Sequence, residues 1–401
     1  MTKLEQLIEE FCPNGVEFKK VKDVFKRLKG TPITAGKMKE IENPNGEIKV
    51  FAGGKTVINA NEADIPNANI TRVPAVLVQS RGVIDVVYYE EPFTFKNEMW
   101  AYTTDNKTTV KYLYYVLKNN IQHFRDAASG MGSLPQISLP VTEEFYIPIP
   151  PLQVQSEIVR ILDNFTELTA ELTAELTARK QQYEYYASNM FPSIKNADVE
   201  WVDLGAVATV TKLAGFEFTK YVEYSNNGKI IALRGLNVKN GHLVLDDVKY
   251  IDNSNLEMLT RSKLRVGDML FTYVGTVGQV ALIEENEKYY LAPNVALVRI
   301  KDEHFLPEYM MYYFLTNKFK QEQISKLLQA SSMQNIPMEK IRKFKLPLIS
   351  IEEQRRTIDV LKRFDILCND ISEGLPAEIE GRRKQYEYYR DKLLTFRELG
   401  T

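Results

Sequence analysis

The 401 residues carry 51 Lys plus Arg against 53 Asp plus Glu, a formal net charge of -2, with 44% hydrophobic, 11% aromatic and 26% charged content. That composition excludes wholesale disorder and suits two to four domains at roughly 100–200 residues each. The near-zero charge excludes a uniformly basic protein that holds nucleic acid by bulk attraction, but not one whose basic groups gather on particular surfaces.

The first segment, MTKLEQLIEEF, places Glu5, Glu9 and Glu10 where an export signal needs a basic start and an apolar run. Next comes a divergent region whose most apolar stretch, VPAVLVQSRGVIDVVYY, is broken by Arg81 and Asp85. A membrane span needs roughly 18 apolar residues, so a soluble, cytoplasmic chain is expected. From Ile158 a helix is predicted, with apolar positions at Ile158, Leu162, Phe165, Leu172, Leu176, Tyr183, Tyr186 and Met190 and with Thr169 and Arg179 filling the frame. This alternation of four and three is a coiled-coil seam. Inside it the unit Thr169-Ala170-Glu171-Leu172 is followed by Thr173-Ala174-Glu175-Leu176. A second divergent region then leads to another helix, keeping the register through Leu361, Phe364, Cys368, Ile371, Leu375, Tyr386, Tyr389 and Leu393. Gly374-Leu375-Pro376 interrupts this helix, because proline suits a first turn and not an interior. Cys368 lies in the stripe and reads as a small buried apolar residue.

The chain is therefore a repeat. The segment IPIPPLQVQSEIVRILDNF is answered by KLPLISIEEQRRTIDVLKRF, and RKQQYEYY by RRKQYEYYR, with Phe165 matching Phe364 and Tyr186 matching Tyr389. Val16-Glu17-Phe18 matches Val199-Glu200-Trp201, and SGMGSLPQI resembles SSMQNIPM. The phase of the repeat implies that the two ends of the chain lie close together. Two matched stripes predict an antiparallel helix pair, against the plainer reading of two amphipathic helices each covering its own domain. From Val154 to Phe191 the helix covers 38 residues. That is roughly 57 Å, or about 17 base pairs of DNA. One TAEL unit adds about 6 Å and turns the helix about 40° past a full revolution, close to one base-pair step. The plainer view of TAEL is a good helix-forming surface segment.

On these motifs the sequence resembles the specificity subunit of a type I restriction-modification system. The resemblance rests on PPLQVQSEIVRILDNF and RKQQYEYY, their second copies, the lead-ins FCPNGVEF and NADVEW, and the TAEL units. It covers essentially the whole chain; the second copy departs mildly, reading SIEEQ where the first reads PPLQVQ. The resemblance implies an α+β fold of two globular target recognition domains separated by two long antiparallel coiled-coil helices. It implies a first recognition domain with its lead-in over 1–145, a first spacer helix over 146–195, a second domain over 196–345 and a second helix over 346–401. Each domain would read half of a bipartite, asymmetric double-stranded DNA target. The helices would set the gap and dock two methyltransferase subunits through Leu162, Phe165, Leu172, Leu176, Tyr183, Tyr186, Leu361, Phe364, Ile371, Tyr386 and Tyr389. Restriction and translocase subunits would join the complex, and S-adenosylmethionine, ATP and magnesium would belong to those partners.

The chain's own residues offer no catalytic constellation. PIPPLQ lacks the acid or Asn before its prolines and the aromatic after them that a DNA adenine methyltransferase uses to hold a flipped base. FAGG and SGMGS do not open a dinucleotide-type helix, and no GxxxxGK[ST] loop is present. Two cysteines, Cys12 and Cys368, and three histidines, without CxxC or HxxxH spacing, make a zinc site or disulfide framework unexpected. The expectation is a non-catalytic chain; a stand-alone DNA-modifying enzyme and a coiled-coil scaffold remain as rivals.

Residues 16–145 hold 17 basic and 15 acidic side chains, and residues 196–345 hold 19 and 18, so DNA contacts must come from local clusters. In the first region the candidates are Lys20, Lys22, Lys26, Lys55, Arg81 and Asn97. In the second they are Arg234, Asn237, Lys239, Asn240, Thr272, Tyr273, Thr276 and Gln279. Lysine clusters serve phosphates, whereas Arg, Asn and Gln match base edges in the major groove. Arg81 and Arg234, each beside a glycine after an apolar strand, are the first choices for base reading. SGMGSLPQ and its counterpart, through Gln334 and Asn335, form a second tier. For any one of these residues the plainer alternative is a solvated surface group.

Overall fold

The computed structural model describes residues 2–54, 56–129, 134–328, 334–369 and 373–400. Lys55 and Ile371 lie outside the described residues. The chain divides into two compact units, Met1–Leu172 with Ile379–Thr401 and Thr173–Glu378.

In the first unit the strands are β1 Glu17–Lys20, β2 Lys26–Lys29, β3 Ile48–Phe51, β4 Val57–Ala60, β5 Ala75–Gln79, β6 Asp85–Tyr89, β7 Phe93–Phe95, β8 Trp100–Thr103 and β9 Tyr146–Ile149. They form a four-stranded sheet in the order β2-β8-β5-β6, a three-stranded sheet β4-β3-β7 and the antiparallel pair β1-β9. β3 runs parallel to β7 and antiparallel to β4. The central strand β5, AVLVQ, is buried along its whole length, as its uninterrupted apolar run requires. The helix Lys107–Asn119, capped by Asn106, lays Val110, Leu113 and Leu117 into a core shared with Val76, Val78, Ile158 and Leu162.

In the second unit the strands are β10 Glu200–Asp203, β11 Ala208–Lys212, β12 Ile231–Leu233, β13 Val238–Lys239, β14 His242–Leu243, β15 Lys249–Tyr250, β16 Met269–Thr272, β17 Val280–Leu282, β18 Tyr289–Leu291, β19 Val295–Ile300 and β20 Lys345–Leu348. The sheets are β11-β19-β16-β17, β15-β12-β18 and β10-β20, with β13-β14 as an added hairpin. Strand order and sense repeat those of the first unit: β12 is parallel to β18 and antiparallel to β15. The two divergent regions therefore share one α+β fold despite their unlike sequences.

The helix Leu152–Met190 is continuous over 39 residues. Between 165 and 183 its half-buried positions are Phe165, Thr169, Leu172, Leu176, Arg179, Gln182 and Tyr183, which reproduces the predicted four-three seam with Gln182 added. The second copy is two helices, Ile351–Asn369 and Leu375–Leu394. The restart at Leu375 puts Pro376 in a first turn, where its missing N–H costs nothing, and the Gly374 carbonyl accepts from Ala377 and Glu378. Cys368 is buried.

The aromatic contacts of the seam are reciprocal. In the first unit Phe165 stacks on Tyr389 at 5.6 Å and meets Tyr386 edge-on. In the second, Phe364 stacks on Tyr186 at 5.9 Å and touches Tyr183. The start of each helical copy thus packs on the end of the other, the antiparallel arrangement. The first unit also joins the chain's opening and closing segments: Val16 N–H donates to the Arg397 carbonyl and Leu399 N–H to the Val16 carbonyl.

Candidate nucleic-acid interface

In each unit the loops that follow the central strands gather at one rim. In the first unit β5 ends at Gln79, and Ser80-Arg81-Gly82 turns towards β6. Gly82, at φ +82°, donates to the Pro135 carbonyl at 2.9 Å, and Ile137 N–H donates to the Ser80 carbonyl at 2.9 Å. Gly54 N–H donates to the Arg81 carbonyl, and the Ser80 hydroxyl donates to the Glu98 carbonyl. Three loops, 52–54, 80–82 and 134–137, are thereby tied together, and with 96–98 they border an open cleft of about 670 Å³ lined by Lys39, Glu42, Arg81, Lys96 and Glu98. Arg81 is exposed there, Asn97 is exposed on the neighbouring 96–98 loop without lining the cleft, and no ion-pair partner engages Arg81 among the described residues.

The second unit repeats this knot. Gly275, at φ +79°, donates to the Gln334 carbonyl at 3.0 Å, and Ile336 N–H donates to the Tyr273 carbonyl at 3.0 Å. By these bonds Ser80 corresponds to Tyr273, Arg81 to Val274, Gly82 to Gly275 and Gln136 to Asn335. Arg234 instead follows β12 and occupies the place of Ala52, which follows β3. The two arginines singled out in the sequence are therefore on non-equivalent loops.

The remaining second-unit candidates divide by burial. Asn237 is fully buried; its amide donates to the Val244 and Asp247 carbonyls, and its oxygen accepts from Arg234 N–H. The Arg234 guanidinium donates to the carbonyl and the carboxylate of Asp247 at 2.7 and 2.8 Å. Thr272 is buried, and its hydroxyl donates to the Thr276 carbonyl while accepting from Gln279 N–H, which closes the 272–279 loop on itself. Burial raises the Tyr273 phenol above its ordinary range, and the Lys212 ammonium lies 5.5 Å from its ring centroid. Gln279 is half-buried and accepts from Asn240 N–H, which bolts this loop to the β13-β14 hairpin. Asn240 and Gly241 both have positive φ, as a two-residue hairpin turn of the Asn-Gly kind demands. Lys239, Asn240 and Thr276 are exposed on that surface.

In the first unit Lys20 and Lys22 converge on Glu144, which pushes the Lys20 ammonium above its ordinary range and holds the Glu144 carboxyl below its own. Lys26 is exposed. Sequence reasoning could not see this lysine clamp, because its carboxylate lies more than 120 residues away. On the helices, Leu162 and Leu361 are fully buried, whereas Tyr185 and Tyr388, at matching places in the repeat, are 66% and 64% exposed. Among the described residues no helix is long and apolar enough to cross a membrane.

Comparison with known proteins places this architecture. The model of the type I restriction modification DNA specificity domain matches twice, over residues 13–179 and 196–381. A type I restriction enzyme specificity subunit of Escherichia coli is 35% identical over 302 residues, covering 73% of this chain and 72% of that one. A type I restriction enzyme specificity subunit of Methanocaldococcus jannaschii is 24% identical over 291 residues, covering 68% and 67%. Among solved structures, the S subunit of a type I restriction-modification system from M. genitalium matches with a TM-score of 0.59 at 15% identity, over 95% of this chain and 96% of that one. A chain from a structure describing complex assembly and conformational transition of the type I restriction-modification system matches with a TM-score of 0.58 at 13% identity, over 95% and 98%. The two low-identity structures speak to fold alone. The doubled domain match and the E. coli relative show the family: this chain belongs to the type I restriction-modification DNA specificity subunits, and its role is sequence-specific DNA recognition within such a system.

Proposed function

We propose that each unit reads one half of a bipartite, asymmetric DNA sequence while the helical repeat fixes the gap and docks two methyltransferase subunits. One observation carries this: two domains share strand order and the same pinned loop knot, yet the residues displayed on the knots differ. A shared scaffold with unlike loops fits two unlike half-sites. The exposed Tyr185 and Tyr388, repeated at one place in both helical copies, suit two copies of a single partner, since aromatic side chains anchor protein interfaces. Restriction and translocase subunits then join a complex whose S-adenosylmethionine, ATP and magnesium are held by the partners, with this cytoplasmic chain supplying specificity and no catalysis of its own. The exposed Lys26 and Lys239, with Lys55, serve phosphate contacts in this reading.

The test is insertion of one TAEL unit after Leu176, which lengthens the helix by about 6 Å and rotates it about 40° past one turn. Methylome sequencing of a strain carrying the variant chain with its partners should show both half-sites unchanged and the gap lengthened. An altered half-site, or an unchanged gap, refutes the ruler.

A further inference from the structure

The hydrogen bonds around the loop knots carry more than their equivalence. Gly82 donates to Pro135 and Ile137 to Ser80, so Arg81 and Gln136 form the non-hydrogen-bonded pair of an antiparallel bridge. In such a pair the Cα atoms approach to about 4.5 Å and the two side chains leave on the same face. Gly275 to Gln334 and Ile336 to Tyr273 make Val274 and Asn335 the same kind of pair. The two knots therefore present, at one structural position, Gln136 in the first domain and Asn335 in the second. Both side chains are exposed, and neither engages a hydrogen-bond partner among the described residues.

Exposure alone would mark an ordinary surface group. Here the backbone beneath is held as a strand would be. Gln136 also exchanges two bonds with Ser129, at 2.9 and 3.1 Å, so its main chain is paired on both sides. A carboxamide on a fixed backbone, unoccupied and facing solvent, is the group whose donor and acceptor match the N6 and N7 of adenine. We infer that Gln136 and Asn335 are equivalent base-reading residues, each recognising an adenine in the major groove of its own half-site. Their neighbours set the difference between the domains. Arg81 extends into solvent and suits the O6 and N7 of a guanine beside that adenine. Val274 is half-buried against the core of the second unit and offers no polar group. At this point the first domain reads two adjoining base pairs and the second reads one.

This assignment rests on the DNA-reading role proposed above, and its test separates the two. Full-length chains carrying Gln136→Ala, Asn335→Ala or Arg81→Ala are expressed with their modification partners, and the methylome of each strain is sequenced. Gln136→Ala should relax one adenine position of one half-site, with roughly a tenfold to hundredfold loss of preference there, and leave the other half-site intact. Asn335→Ala should relax one adenine position of the opposite half-site. Arg81→Ala should relax a guanine next to the position that Gln136→Ala relaxes. An unchanged motif, a uniform loss of methylation without positional relaxation, or relaxation at a G·C pair for either carboxamide overturns the assignment. A wild-type chain that yields no two-part motif would instead overturn the DNA-reading role itself.

Discussion

Substituting the glycine of each knot should damage one half-site and spare the other. Gly82 has φ +82°, and an added Cβ would meet the backbone of Gly54 at 3.4 Å, an ordinary contact. Gly275 has φ +79°, and an added Cβ would meet nothing within 4 Å. Space is therefore not the obstacle at either place. The cost of alanine is the left-handed backbone itself, about 1–2 kcal/mol. If the loop instead relaxes to negative φ, it gives up the bond to Pro135 or Gln334, worth about 1 kcal/mol, and the bridge that aligns Gln136 or Asn335 opens. Either way Gly82→Ala and Gly275→Ala should each destabilise locally by about 1–2 kcal/mol, nearly equally despite their different surroundings. Hydrogen exchange read by mass spectrometry should show faster exchange at 80–84 and 134–137 for Gly82→Ala, and at 273–279 and 334–336 for Gly275→Ala. Methylome sequencing should show relaxed preference in one half-site for the first variant and in the other half-site for the second. Unaltered exchange at both knots, or relaxation of the same half-site by both variants, would refute the reasoning.

Two further outcomes concern stability. Glu157 is 4% exposed, and hydrogen bonds from Arg160 above all, with Lys3 added, bring its carboxyl down to about 2. A folded-state value below the unfolded one gives stability that is present above about pH 4.5 and is lost as pH falls towards 2. At about 1.4 kcal/mol per pKa unit this is about 3–4 kcal/mol, which Glu157→Gln should remove from the acid limb of a denaturation profile; an unchanged limb contradicts it. Asp268 is buried and receives both arms of Arg299 at 2.6 and 2.7 Å. Arg299→Met leaves that carboxylate without its counter-charge, held only by the Arg265 N–H, and should cost about 3–5 kcal/mol in thermal unfolding, with Asp268→Asn recovering part of the loss when combined; a single-variant loss below about 1 kcal/mol counts against the pair.

The helical repeat was legible because its signal is local. Heptad spacing names Phe165, Leu172, Leu176 and Tyr183 without reference to a partner, and Pro376 announces the break before it. The α+β class of the divergent regions followed from the family resemblance, but their common strand order was not legible in the residues, because matching strands differ in sequence and are paired through ladders distant in the chain, such as Leu77 with Ala101. The candidate reading surface was only half legible. Arg81 and Arg234 look alike in a sequence window, each ahead of a glycine, but one follows β5 and the other β12. Asn237 and Thr272 have polar side chains that a window assigns to solvent; the β13-β14 hairpin and the 272–279 loop turn them inward instead. Gln136 and Asn335 stand out less in the sequence than the arginines, since their equivalence depends on bonds to the segment around Arg81 and Val274.

The short ladders β1-β9 and β10-β20 have a consequence for how such chains can diversify. Glu17 pairs with Ile149 and Lys20 with Tyr146; Glu200 pairs with Leu348 and Asp203 with Lys345. Each divergent region thus leaves and rejoins the helical framework through two neighbouring strands, about 5 Å apart. To the framework the region is a cartridge on a two-stranded handle. Any domain whose ends meet at that spacing can be exchanged there without moving a residue of the helices, so on the function proposed above new half-sites can be acquired one at a time while the gap and the docking faces stay as they are.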